Sequence, residues 1–132
     1  MKFMVCYEEA DPSGTILREA LAHAKVWNAT LDVVKIVTRE LPIKHSKILE
    51  MEKELESKVR DQIKEDSVTY TTQFLVTSLE PGEKLVKYAD EEEIGLIFLG
   101  IIKKSKVSKL LFGSTAQYVI LKAHCPVVTI KA

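Results

Sequence analysis

The chain has 132 residues, 46% apolar and 29% charged, with 19 basic side chains balancing 19 acidic ones. That length can bury a core without disulfide or metal staples, and that composition excludes a chain disordered over most of its length. Zero net charge gives no global attraction to nucleic acid or to an anionic membrane, so neither is an expected partner.

Met1 to Cys6 is apolar, but Glu8, Glu9 and Asp11 follow too soon for a secretory leader. No apolar run reaches bilayer length, and the expected location is the cytoplasm. Lys2 to Tyr7 predicts a buried first strand running into the polar loop Glu8 to Gly14. Ile16, Leu17, Ala20, Leu21, Ala24 and Trp27 then recur at helical spacing, with Ser13 or Thr15 as the expected cap and Asn28-Ala29-Thr30 as the end. Leu31 to Val37 is a β-branched run and a second strand. Ile48, Met51, Leu55, Val59 and Ile63 mark a second helix whose other faces are charged, which places it at the surface.

Val68, Tyr70, Thr72, Phe74 and Val76 alternate with polar residues as a third strand. Glu80-Pro81-Gly82 opens a third helix, since proline is tolerated in a first turn. Leu85, Val86, Tyr88 and Ala89 supply its apolar face. Ile94 to Leu99 is a short fourth strand. A lysine-rich stretch, Gly100 to Phe112, leads to Gly113-Ser114-Thr115, where a last helix starts through Ala116, Val119, Ile120 and Ala123. Cys125-Pro126 breaks it, and Val127 to Ile130 is a fifth strand. The order βαβαβαβαβ predicts a parallel α/β sheet covered by helices on both faces, in a single domain over residues 1–132. In such sheets ligands sit beyond the carboxyl ends of the strands, where strand order reverses. Cys6 and Cys125 are each placed as small core thiols and not as a disulfide framework.

No Walker-type loop, no Gly-x-Gly-x-x-Gly, no Gly-x-Ser-x-Gly and no His-Glu-x-x-His is present, and His23, His45 and His124 fall in separate elements. No metal site and no nucleophile–base pair is expected, so the chain is read as a non-enzyme, with slow hydrolytic turnover left open. The informative stretch runs from Gly100 to Thr115. Free amides at a helix start favour phosphate, Gly113 lets an anion approach the backbone, and Ser114 and Thr115 add hydroxyl donors. The same residues serve equally as a turn glycine, a helix cap and a solvated lysine face.

The segments Ile97-Phe98-Leu99-Gly100, Ser108 to Ala116 and Cys125-Pro126-Val127-Val128, with the order of elements, make the chain resemble the universal stress protein family. The resemblance covers nearly the whole chain. It implies a Rossmann-like, five-stranded sheet in the order 3-2-1-4-5 and a homodimer paired through strand five, at Val127, Val128, Thr129 and Ile130. The nucleotide-binding branch carries Gly-x-x-Gly, nine residues, then Gly-Ser/Thr. Here Gly100, Lys103 and Gly113-Ser114 keep that spacing, with lysine in place of the second glycine.

Carried over residue by residue, the resemblance implies ATP, with Mg2+, held at Gly100, Lys103, Gly113, Ser114 and Thr115. Glu8 stands where the family often has an aspartate toward the nucleoside. Val37, Thr38 and Val76 stand where its pocket walls meet base and ribose, or serve as ordinary strand-end packing. A nucleotide-binding stress-response regulator is therefore one reading. A dimeric interaction module that has lost the nucleotide is the other, and Lys103 separates them. A related ATP pyrophosphatase would need a Ser-Gly-Gly-x-Asp-Ser type loop, which Pro12-Ser13-Gly14-Thr15 matches poorly.

Overall fold

The computed structural model describes residues 1–8, 11, 14–39, 42–64, 67–101 and 113–131. Along the chain it forms β1 (Lys2–Cys6), α1 (Thr15–Trp27), β2 (Thr30–Thr38), α2 (His45–Ile63), β3 (Tyr70–Thr77), α3 (Pro81–Glu91), β4 (Leu96–Ile101), α4 (Ser114–Lys122) and β5 (Val127–Lys131). The strands make one sheet in the order β3-β2-β1-β4-β5, and every pairing is parallel. This is the expected architecture.

The sheet separates two cores. Phe3 and Val5 face one side with Leu31, Val33 and Phe74, where Leu17, Leu21 and Ala24 of α1 and Leu55, Val59 and Ile63 of α2 cover them. Met4 faces the other side with Val34, Ile97 and Leu99, beneath Leu85 and Ala89 of α3 and Ala116 and Val119 of α4. Successive side chains of a strand point to opposite faces, so a run such as Phe3-Met4-Val5 must be apolar throughout to fill both cores.

Sequence expectations gave way at several points. Trp27 is 62% exposed and not part of the core. Ala24 is the last residue of α1 buried in the core, and Asn28, at φ 51°, ends the helix one turn later. Ile120 is also exposed, because α4 seats on Ala116 and Val119. Thr15 is the first helical residue of α1 and does not cap it; Ser13 lies outside the described residues. Val68 is buried but precedes β3, and β4 lies two residues later than expected, at Leu96–Ile101.

The β2 run hides a polar residue that hydropathy passes over. Asp32 is buried, and its carboxylate accepts hydrogen bonds from the Thr71 hydroxyl of β3 at 3.0 Å and the Tyr88 hydroxyl of α3 at 2.5 Å. A buried carboxylate must be paired in this way to avoid a large desolvation cost. The contact ties α3 to the sheet, and burial together with the Asp32 partner pushes the Tyr88 phenol well above its ordinary value.

Candidate functional site

Strand order reverses between β1 and β4. The first two crossovers carry the chain outward through α1 and α2 on one face, and the next two return through α3 and α4 on the other. A crevice at the carboxyl ends of β1 and β4 is what this topology leaves. Val5 pairs with Phe98, so the same register carried two residues further sets Tyr7 level with Gly100. Beside it, Val5, Tyr7, Glu8, Asp11, Gly14, Ile16, Leu17 and Gln62 line a shallow, open depression where the end of β1 and the loop after it meet α1 and α2.

The helix starts of α1 and α4, which follow β1 and β4, differ chemically. At α1 the Asp11 carboxylate accepts a hydrogen bond from the Ile16 amide at 2.9 Å, so that end already holds a negative charge. Gly14, at φ 65°, makes the turn that brings Asp11 back over the helix. At α4 the capping residue is Gly113, which has no side chain to bond the helix; among the described residues nothing else caps it, and the first intrahelical bond runs from the Gln117 amide to the Gly113 carbonyl at 3.1 Å. The Ser114, Thr115 and Ala116 amides precede that bond, and these are the donors an incoming anion can take.

The glycines at the site have different surroundings. A Cβ on Gly100 would stand 2.0 Å from Cδ1 and 2.9 Å from Cγ1 of Ile16, so this glycine lets α1 close against β4. A Cβ on Gly113 would meet nothing within 4 Å among the described residues, and its φ of −62° suits any residue. Packing against the described residues therefore accounts for Gly100 and gives no such reason at Gly113.

The other expected site residues fall as follows. Glu8 is exposed at the rim of the depression. Ser114 is exposed and Thr115 half-buried in the first turn of α4. Val37 pairs with Val76, and both pack on the core beneath α1 and α2, while Thr38 is exposed one residue further. Cys6 is level with Val34, so Val37 and Thr38 extend beyond the end of β1 by three to four residues, about 10–13 Å, as a wall beside the crevice. Lys103, Lys104, Lys106 and Lys109 lie outside the described residues. β5 pairs only with β4 and forms one edge of the sheet. Its Val128 and Ile130 turn to one core and Val127 to the other, and Thr129 is exposed.

Three residues of the depression escaped the sequence reading. Asp11 is one of several loop acids, and only folding shows that it bonds the helix. Tyr7 and Gln62 are 55 positions apart, yet the Gln62 amide reaches the Tyr7 hydroxyl at 3.5 Å. The two cysteines are free and half-buried. Burial, followed by the Glu8 charge, pushes the Cys6 thiol from its ordinary 9.0 up to about 12, and burial raises Cys125 as well. Neither is a reactive thiolate at neutral pH. Among the described residues no group of three or more His, Cys, Asp or Glu could hold a metal ion, and no helix is long and apolar enough to cross a membrane.

Known proteins share this arrangement. A universal stress protein of Methanocaldococcus jannaschii is 27% identical over 98% of this chain and 81% of its own length. The structure of a universal stress protein from Archaeoglobus fulgidus superposes with a TM-score of 0.80 at 32% identity, over 98% of this chain and 97% of that one. A universal stress protein from the same organism in complex with dAMP superposes at 0.73 with 28% identity, over 98% and 96% of the two chains. The model of the universal stress protein family matches residues 1–131, with the βα order, the reversed sheet and the Gly113-Ser114 helix start all inside that span. This chain is a member of the universal stress protein family.

Proposed function

We propose that this protein binds an adenine nucleotide, ATP foremost, in the crevice at the carboxyl ends of β1 and β4, and acts as a dimeric, non-enzymatic regulator. The observation that carries the reading is the start of α4. Among the described residues no side chain caps its first-turn amides or stands where a Cβ on Gly113 would be, and two hydroxyls, of Ser114 and Thr115, stand beside them. A helix start of that kind suits phosphate. The dAMP bound by the Archaeoglobus fulgidus relative supports adenine nucleotide as the ligand class. In this reading the phosphates lie against Gly100, Gly113, Ser114 and Thr115, with Lys103 as their cationic partner. Glu8 faces the nucleoside, Val37, Thr38 and Val76 wall the base and ribose, and Mg2+ enters only with the triphosphate.

The alternative is a family member that dimerises without nucleotide. The lysine at position 103 in place of the family's second glycine favours it. Calorimetric titration with ATP tests both. Binding by the wild type that is weakened in Lys103→Ala supports the phosphate-partner role. Binding gained only in Lys103→Gly identifies Lys103 as a steric plug. No heat in wild type, Lys103→Ala or Lys103→Gly leaves the nucleotide-free module.

A further inference from the structure

Gly113 and Ser114 are exposed and Thr115 is half-buried, so the register of this turn with the strand ends depends on the rest of its helix. Its helix is short: α4 has nine residues and buries only Ala116 and Val119. Its other close neighbour is α3. A Cβ on Gly82, in the first turn of α3, would stand 2.8 Å from the Tyr118 Cβ, 3.1 Å from its Cγ and 3.2 Å from its Cδ1. Those atoms are the root of the side chain and not a flexible tip, so the space can open only if the helices part. Tyr118 is one helical turn after Ser114 and shares its face. The partner is itself fixed, since Tyr88 anchors α3 to the sheet through buried Asp32.

We infer that Gly82 is a positioning residue for the anion-binding end of α4: its missing side chain seats Tyr118, and that seat sets where the first-turn amides point. The inference rests on the nucleotide reading above but concerns the phosphate end alone. A nucleoside lacking phosphates therefore separates a positioning role from a general loss of structure. In Gly82→Ala the α4 start moves away from the strand ends while the β1 end stays in place.

The test uses the full chain, with Tyr118→Ala as a second variant that empties the same seat without adding bulk. Expected for both variants is a displacement of the amide resonances of residues 113–116 with that of Glu8 unmoved, and a loss of ATP affinity of about tenfold with adenosine affinity unchanged. Resonances of residues 113–116 that stay at wild-type positions in both variants would overturn the inference, as would equal losses for ATP and adenosine. If the wild type binds neither ligand, the nucleotide reading fails, and the amide resonances alone decide whether Gly82 seats α4.

Discussion

A side chain added at Gly100 runs into Ile16, and one added at Gly113 meets none of the described residues. Gly100→Ala should therefore lower stability by about 1–3 kcal/mol through overpacking, read as an earlier urea midpoint. Gly113→Val should leave stability within about 0.5 kcal/mol, as exposed substitutions do, yet remove ATP binding, because its side chain fills the phosphate's approach. Cys6 supplies a pH test. Its folded thiol titrates near 12, above its ordinary 9.0. Below pH 9 both states hold the proton and stability is unaffected. Between 9 and 12 the unfolded chain loses it first, so stability falls as pH rises. Chemical denaturation at pH 8 and pH 10.5 should show that decline, flattened in Cys6→Ala. The glycine-and-hydroxyl pattern was legible at this scale because it is local in sequence. The different burdens on its two glycines were not, because Ile16 lies 84 positions from Gly100.

Helices and strands were legible from their periodicity, and the misreadings at Trp27 and Ile120 come from the same cause. Period assigns a face, but only the neighbouring element decides how far along the helix that face is covered. α2 shows what periodicity cannot reach. Glu56 lies on a charged helix, yet its two carboxylate oxygens accept from the Tyr70 hydroxyl at 3.2 Å and the Thr72 hydroxyl at 3.1 Å of β3. That double contact docks a surface helix on an edge strand with a fixed axial position. Glu56→Ala should cost about 1–2 kcal/mol, the range for hydrogen bonds to a partly exposed charged group. Amide exchange should quicken along α2 and β3 and remain unchanged in α4.

In the whole molecule, the proposed dimer through β5 follows from an unpaired sheet edge, which is a liability unless covered. The structure refines how that edge is built. Val127, Val128 and Ile130 are half-buried against the two cores and Thr129 is exposed, so a second copy would meet the backbone edge, Thr129 and the exposed parts of those three side chains. Thr129→Glu places like charges near each other across a two-fold and should shift the protein toward monomer. Sedimentation velocity at micromolar concentration reads the shift, with the thermal midpoint of the monomer nearly unchanged. A monomeric wild type would remove the dimer from the proposed function. The sequence by itself determined the order of elements, the two-sided sheet and the position of the Gly113-Ser114-Thr115 helix start, since each is written in short-range periodicity and spacing. Tertiary structure alone decided that the Asp11 carboxylate occupies the α1 start, that Asp32 pairs with Tyr88, and that Gly82 lies against Tyr118. The last two contacts join residues that only the parallel crossovers bring together, the first needs the turn at Gly14, and no local pattern encodes which loop acid or which glycine will meet which partner.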